Sequence, residues 1–249
     1  MLEILENIID KNGLIFAFLC VGFLMLFSFW ISKHILKNYI PSVAIAIIIA
    51  LGLAFFGSKN GLGNVKVFAG LSLLGGSMFR DFAVVATAMN ADIAKIKAAG
   101  FAGSISLIVG VSFSFSVGAL LSFLFGYTDI VSITTIGAGA CTYIVGPITG
   151  YALGATSEVI AISIATGVVK TIFVTIMTPL LAKGIGLNNP HSAIVFGGLM
   201  GTTSGVAAGL AATDVKLVPY GAMAATFYTG LGCLLCPSFF YLIIDYFLK

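Results

Sequence analysis

Residues 191–213 read HSAIVFGGLMGTTSGVAAGLAAT, an apolar stretch with five glycines around a Gly-Thr-Thr-Ser-Gly core. Thr202, Thr203, Ser204 and Gly205 occupy consecutive positions, so in a helix they would point in all directions rather than form one packing stripe. Glycine weakens a helix, and in a membrane the freed backbone groups must be bound by protein or by a wet cavity. We therefore predict a broken or re-entrant helix here. The alternative is close helix packing through Gly201, Gly205 and Gly209.

A second stretch of the same character lies upstream. Residues 131–150 read VSITTIGAGACTYIVGPITG, with four glycines and a proline among hydroxyl side chains. The break in this segment falls either within 134–139 or at Gly146, with Pro147 as the first helical residue. The sequence leaves both positions open.

The composition explains why these segments belong in a bilayer. Of 249 residues, 59% are apolar and only 8% are charged, whereas soluble domains average about 25% charged residues. A net charge of +3 is too small and too scattered to indicate a nucleic-acid partner. Further apolar runs, each long enough to span a bilayer, fall at 13–32, 40–57, 68–90, 98–126, 156–182 and 218–247.

The predicted fold class is therefore an all-α integral membrane protein. We expect a polytopic helical bundle forming a single membrane domain over 1–249, with about six full spans and the two glycine-rich segments. The acidic N-terminus has no basic region before the first apolar run, so a cleaved signal peptide is not expected and the first span should be retained.

Lysine positions favour re-entrant segments over crossing ones. If the N-terminus is outside and neither glycine segment crosses, six lysines lie inside (33, 37, 95, 97, 183 and 216) and four outside (11, 59, 66 and 249). Full crossing makes the split even. In the re-entrant arrangement, the two units of span plus glycine segment have opposite orientations, as in transporters built from inverted repeats. In the crossing arrangement they would be parallel repeats.

Arg80 and Asp81 lie in the middle of the run 68–90. Ionisable residues at that depth cost several kcal/mol and mark substrate or ion pathways by default. A guanidinium donates two parallel bonds to one carboxylate, so Arg80 is predicted to bind an anionic substrate. Asp81 points about 100° away on a helix and is predicted to bind a cation. The alternatives are a run interrupted near the preceding glycines and an ion pair that only holds helices together.

The broken segments supply the rest of the predicted site. The N-terminus of a restarting helix attracts anions, and hydroxyl side chains there add donors, whereas the carbonyls that end the preceding half suit Na⁺. The sodium ligands are predicted to be Asp81 with Leu199, Met200 and Gly201. The substrate ligands are predicted to be Arg80, Thr134, Thr135, Gly137, Gly139, Thr202, Thr203, Ser204 and Gly205.

Other polar residues carry less information. Lys170 is buried by position, and it either takes part in binding, snorkels to an interface, or pairs with another group. Glu158 fits the first turn of a helix, where an acid complements the dipole. Cys233 and Cys236 have CxxC spacing without the context of a redox or zinc site, so we expect no metal beyond Na⁺. The sequence has no nucleophile elbow or phosphate loop, and we expect neither an enzyme nor an organic cofactor.

Several motifs resemble one family, the MadM subunits of bacterial malonate transporters. They lie at 79–88 (FRDFAVVATA), 126–129 (GYTD), 134–140 (TTIGAGA), 143–147 (YIVGP) and 186–232. The resemblance extends over essentially the whole chain. It implies a sodium-coupled malonate carrier of the bacterial inner membrane that works with a smaller membrane subunit, MadL. It does not identify the residues that touch the substrate.

Other functional classes remain open on the sequence. One is a proton-coupled or broader dicarboxylate carrier. Another is the membrane subunit of a sodium-pumping carboxylate decarboxylase. The small number of intramembrane carboxylates in the sequence argues against this class. A third is a purely structural partner in a larger complex.

Overall fold

The computed structural model describes residues 9, 11–37, 40–54, 68, 70–71 and 93–248. Throughout this part of the chain the regular structure is helical, which confirms the predicted fold class. Four described segments are long and apolar enough to cross a membrane: Gly13–His34, Gly100–Leu124, Ser157–Leu181 and Val215–Leu248. They correspond to four of the six predicted spans. The chain divides into two compact units, Met1–Ala86 and Thr87–Lys249.

The first unit contains α1 (Gly13–His34) and α2 (Ser42–Ala54). Ser32 closes the turn between them by donating a 2.6 Å hydrogen bond to the carbonyl of Ile40. Most large apolar side chains of α1 point outward, with Phe23 69% exposed, as expected where lipid is the solvent. The predicted run 68–90 lies almost entirely outside the described residues, as do 55–67.

Within residues 93–248, the second unit has eight α-helices. They are α3 (Ile93–Leu124), α4 (Ile130–Cys141), α5 (Val145–Leu153), α6 (Ser157–Leu181), α7 (Pro190–Met200), α8 (Thr203–Ala211), α9 (Val218–Leu235) and α10 (Tyr241–Leu248). A 3₁₀ turn, Val215–Leu217, precedes α9, and a π-helical turn, Cys236–Phe240, joins α9 to α10. Large apolar side chains again face outward, while many of the fully buried positions are small or hydroxyl-bearing. This distribution suits a bundle packed through small residues in lipid.

The segment 130–153 is a re-entrant hairpin. At 12 residues, α4 is about 18 Å long, and α5 is shorter, so neither crosses the ~30 Å hydrocarbon core. A Cβ on Gly146 would lie 2.9 Å from Gly139, and one on Gly150 would lie 2.9 Å from the Thr135 side chain. In these contacts the residue number rises along α5 as it falls along α4, so the two halves are antiparallel. The break is at residues 142–144, so it lies outside 134–139 and just before Gly146. Of the two predicted positions the second is the nearer one, but Gly146 and Pro147 already lie in the first turn of α5, which begins at Val145.

The segment 190–211 is also a hairpin, but an open one with α9 packed against both halves. Gly221 of α9 lies against Gly197 of α7 and also against Leu210 of α8. Gly201, at the break, lies about two turns further along α9, against the ring of Tyr228. Both α7 and α8 therefore contact α9 near Gly221, and they meet at a tip that lies near Tyr228. This confirms the predicted break at the Gly-Thr-Thr-Ser-Gly sequence.

The two hairpins have opposite orientations, as the inverted-repeat hypothesis requires. Along α3, Phe115 meets Gly137 and Val111 meets Cys141, so α3 and α4 are antiparallel. Along α6, Ser163 meets Gly139 and Lys170 meets Cys141, so α6 and α4 are parallel. It follows that α3 and α6 are antiparallel. The unit α3–α4–α5 is thus followed by α6–α7–α8 upside down.

Candidate functional site

At the tip of the first hairpin, a side chain of the tip itself caps the start of α5 but not the end of α4. Thr142 is extended, and its hydroxyl accepts hydrogen bonds from the N–H groups of Ile144 (3.2 Å) and Val145 (3.1 Å), which starts α5. Because the N–H of Val145 is used in this way, the Cys141 carbonyl at the end of α4 needs another donor. That donor is the ammonium of Lys170, at 3.0 Å.

The tip of the second hairpin is built from Gly201 and Thr202. Gly201 ends α7 in the left-handed conformation, at φ 73°, which favours glycine. Thr202 begins α8 without a side-chain cap, and its buried hydroxyl shares a 2.7 Å hydrogen bond with the hydroxyl of Thr171 on α6. The first N–H groups of α8 have no acceptor within their own helix. The start of α8 is therefore suited to an anion.

Lys170 lies where the two tips meet. Its side chain is partly buried, and its ammonium donates to Ser114 Oγ on α3 (2.9 Å), to the Cys141 carbonyl on α4 (3.0 Å) and to Tyr228 Oη on α9 (3.3 Å). A lysine ammonium has three donors, and these three partners match that number. All three are electrically neutral. Lys170 therefore does not snorkel to an interface; it joins four helices inside the unit.

Tyr228 connects the lysine to the second tip. Its side chain is fully buried and its hydroxyl donates to the Gly110 carbonyl on α3 at 3.2 Å. The face of its ring lies beneath the Lys170 ammonium, 5.1 Å from the ring centre, and the ring also packs against Gly201. A cation at that distance is attracted by the ring. One tyrosine thus contacts the ammonium of α6 and the break between α7 and α8.

The predicted ligands of the first segment lie within α4, below the tip. Thr134 and Thr135 are fully buried, and their hydroxyls have no hydrogen-bond partner among the described residues. Gly137 and Gly139 serve close packing, because a Cβ on Gly139 would lie 2.3 Å from the Ser163 carbonyl and one on Gly137 3.2 Å from the backbone of α3. The two threonines retain unused polar atoms, whereas the two glycines already have a packing role.

The predicted ligands of the second segment lie at its tip. Thr203 is half-buried, Ser204 is exposed, and Gly205 is packed against Thr171, where a Cβ would lie 2.9 Å from the carbonyl oxygen. Among the proposed sodium ligands, Leu199 and Met200 are half-buried. The Met200 carbonyl accepts the N–H of Thr202 at 3.0 Å, and Gly201 donates to Gly197. The second segment is therefore brought to the meeting point, but Arg80 and Asp81 lie outside the described residues.

Sequence reasoning left two contributors unremarked, Ser114 and Tyr228. Their partnership with Lys170 spans 56 and 58 positions along the chain. Ser114 lies in an ordinary-looking apolar helix, and Tyr228 follows a phenylalanine in another. The one available signal was a lysine inside an apolar run, since such a residue needs polar partners from other helices.

Comparison with family models decides the identity of the chain. The model described as the malonate/sodium symporter MadM subunit matches residues 5–248. The chain belongs to the MadM family. It is therefore a multi-pass membrane protein that takes part in sodium-coupled malonate transport, and it is a transporter subunit rather than an enzyme. Comparison with curated proteins gives no match, and comparison with solved structures gives none either.

The MadM assignment resolves the functional classes that the sequence left open. A decarboxylase subunit and a purely structural partner are not what the family model describes. Among the transport alternatives, the family description gives sodium rather than the proton as the coupling ion, and malonate as the dicarboxylate.

Proposed function

We propose that this MadM chain binds malonate where the tips of its two hairpins meet and moves it by alternating access, with Na⁺ as the coupling ion and no organic cofactor. The observation that supports this most strongly is the convergence of both tips on Lys170 and Tyr228. Oppositely oriented re-entrant segments that meet inside a membrane are a recurring transporter architecture. Each tip is then exposed to one side of the membrane in turn.

The charge balance of the reaction supports the same location. Malonate carries two negative charges, which must be compensated inside a low-dielectric bundle. The uncapped start of α8 offers N–H groups and a positive dipole end, and Lys170 offers a full charge. Na⁺ binding adds to this compensation, so a carrier loaded with both solutes holds less net charge than one loaded with malonate alone.

The substrate ligands of the proposal are those predicted from the sequence. They are Arg80, Thr134, Thr135, Gly137, Gly139, Thr202, Thr203, Ser204 and Gly205, with Asp81, Leu199, Met200 and Gly201 on the sodium side. The unused hydroxyls of Thr134 and Thr135 support a ligand in α4.

Arg80→Ala is expected to abolish uptake while membrane insertion remains intact. Near-normal uptake would remove Arg80 from the site.

The proposal also includes an orientation and a partner. Within 93–248, every lysine except Lys170 lies at the end of the unit where α3 begins and α6 ends. By the positive-inside rule, this end faces the cytoplasm of a bacterial inner membrane. The smaller subunit, MadL, is the proposed partner, because the family name describes this chain as one subunit of a symporter.

The decisive experiment is uptake of labelled malonate into vesicles. Vesicles containing this chain alone, MadL alone, or both are compared across a sodium titration, with choline replacing Na⁺ as the control. We expect uptake that needs Na⁺ and both subunits. Uptake by this chain alone would exclude an obligatory MadL, and uptake that persists in choline would contradict sodium coupling.

A further inference from the structure

Lys170 carries a charge that no described acidic side chain neutralises. Its three hydrogen-bond partners are a serine hydroxyl, a tyrosine hydroxyl and a backbone carbonyl. A carboxylate acceptor carries a full negative charge, so it adds a Coulomb attraction to the ammonium that a neutral acceptor lacks. A carboxylate that reached the ammonium would therefore form a stronger bond than any of the three present.

Lys170 lies next to both tips, so a ligand held between them would meet its ammonium. Its side chain is only partly buried, and it sits between the end of α4 and the ring of Tyr228, which itself touches Gly201. The neighbouring residue, Thr171, is hydrogen-bonded to Thr202 at the start of α8. Thr171 and Tyr228 therefore both lie next to Lys170 and next to the tip at which α8 begins.

We propose that Lys170 is the fixed cation that binds one malonate carboxylate, and that Ser114, Tyr228 and the Cys141 carbonyl hold its ammonium while the carrier is empty. This inference rests on the proposed function, since it names a ligand within the same site. On binding, the carboxylate takes the place of the Ser114 hydroxyl as an acceptor of the ammonium, and no covalent bond changes. The other carboxylate binds to the remaining donors of the site.

A purely structural role for Lys170 makes a different prediction. The ammonium satisfies the last carbonyl of α4 and favours the negative end of the helix dipole. If this were its whole task, replacing it would loosen the hairpin and weaken every ligand equally. A charge-specific role instead weakens a ligand according to the carboxylates it carries.

The test compares malonate with malonamate, in which one carboxylate is a neutral amide. Dissociation constants are measured at saturating Na⁺ on the purified full chain with its partner subunit, for the wild type and Lys170→Met. We expect Lys170→Met to weaken malonate binding roughly 30-fold or more, which is the usual cost of removing one partner of a buried charge pair. Malonamate binding should weaken far less, so that the preference for malonate largely disappears.

The matched control is Lys183→Met, because Lys183 is an exposed lysine just beyond the end of α6. Its dissociation constants should equal those of the wild type. If Lys170→Met leaves the malonate-to-malonamate preference unchanged, whether or not both ligands weaken, the inference is overturned. If the wild type itself binds no malonate in the presence of Na⁺, the proposed function has failed instead.

A second variant decides the question if Lys170→Met does not fold. Ser114→Ala removes one neutral acceptor of the empty carrier and leaves the ammonium in place. Because only the empty state loses a hydrogen bond to a charged group, malonate should bind more tightly by about tenfold or more. Unchanged or weaker binding would contradict the inference.

Discussion

At the scale of single residues, glycine has two distinct tasks in this chain. Gly201 supplies a left-handed backbone that ends α7 at the tip of the second hairpin. Gly139 leaves room for the backbone of α6 to approach. The same residue type therefore makes a break at one position and a close contact at another.

Gly201→Ala tests the tip directly. A Cβ there would lie 2.2 Å from the Tyr228 ring, and the φ of 73° is unfavourable for alanine. We expect uptake to be lost and the thermal midpoint of the purified protein to fall, with a destabilisation of about 1–3 kcal/mol. Gly230→Ala is the control, because that glycine lies on α9 with nothing within 4 Å of an added Cβ. A Gly201→Ala variant with normal uptake and stability would contradict this account of the tip.

Thr135→Val separates binding from folding. The buried Thr135 hydroxyl has no partner among the described residues, so its removal should leave the empty protein unchanged or more stable by about 1 kcal/mol. Malonate uptake should nevertheless decrease, because a ligand atom loses its partner. In the control, Thr175→Val, the lost hydroxyl bonds the Thr171 carbonyl at 2.8 Å within the same helix, and uptake should remain. Equal uptake in both variants would remove Thr135 from the site.

At the scale of elements, each hairpin is held by backbone contact with a neighbouring long helix. In the first, Gly139 and Gly146 both lie against Ser163 of α6. In the second, Gly197 and Gly201 lie against α9. Short helices of this kind are marginal by themselves, so the packing surfaces determine where the tips stand.

Gly139→Ala should displace the first hairpin as a unit. The new Cβ would lie 2.3 Å from the Ser163 carbonyl, a backbone atom that cannot rotate away. The expected result is a lower thermal midpoint, a destabilisation of about 1–3 kcal/mol, and reduced uptake. Gly22→Ala, in α1 with nothing near an added Cβ, provides the comparison and should be neutral. If the two variants behave alike, the contact with Ser163 does not position the hairpin.

At the scale of the whole molecule, the inverted arrangement predicts which residues share a membrane face. In a cysteine-free background, single cysteines are placed at the exposed positions Thr128 and Lys183. Thr128 lies where α3 ends, and Lys183 lies at the opposite end of the unit, beyond α6. An impermeant thiol reagent should label Thr128→Cys from outside intact cells and Lys183→Cys only after permeabilisation. Outside labelling of Lys183→Cys would contradict the re-entrant arrangement and the orientation proposed.

Much of this architecture follows from the sequence alone, because it depends on local properties. Apolar composition and run length indicate the bilayer as solvent and predict the four spans found among the described residues, and Gly201 next to Thr202 predicts the second break. The first break remained ambiguous because Gly137 and Gly139 look the same in sequence as break-forming glycines. Only packing against α3 and α6 shows that these two serve close contact within an unbroken α4.

The convergence at Lys170 was decided by tertiary structure. Whether a lysine in an apolar helix snorkels, pairs or binds depends on what other helices bring within about 3 Å of its ammonium, and those helices lie far away in the sequence. Ser114 reaches it from α3 and Tyr228 from α9, together with the carbonyl that ends α4. Residue types and their periodicity determine the solvent and the breaks, but the meeting of side chains requires the fold of both inverted halves.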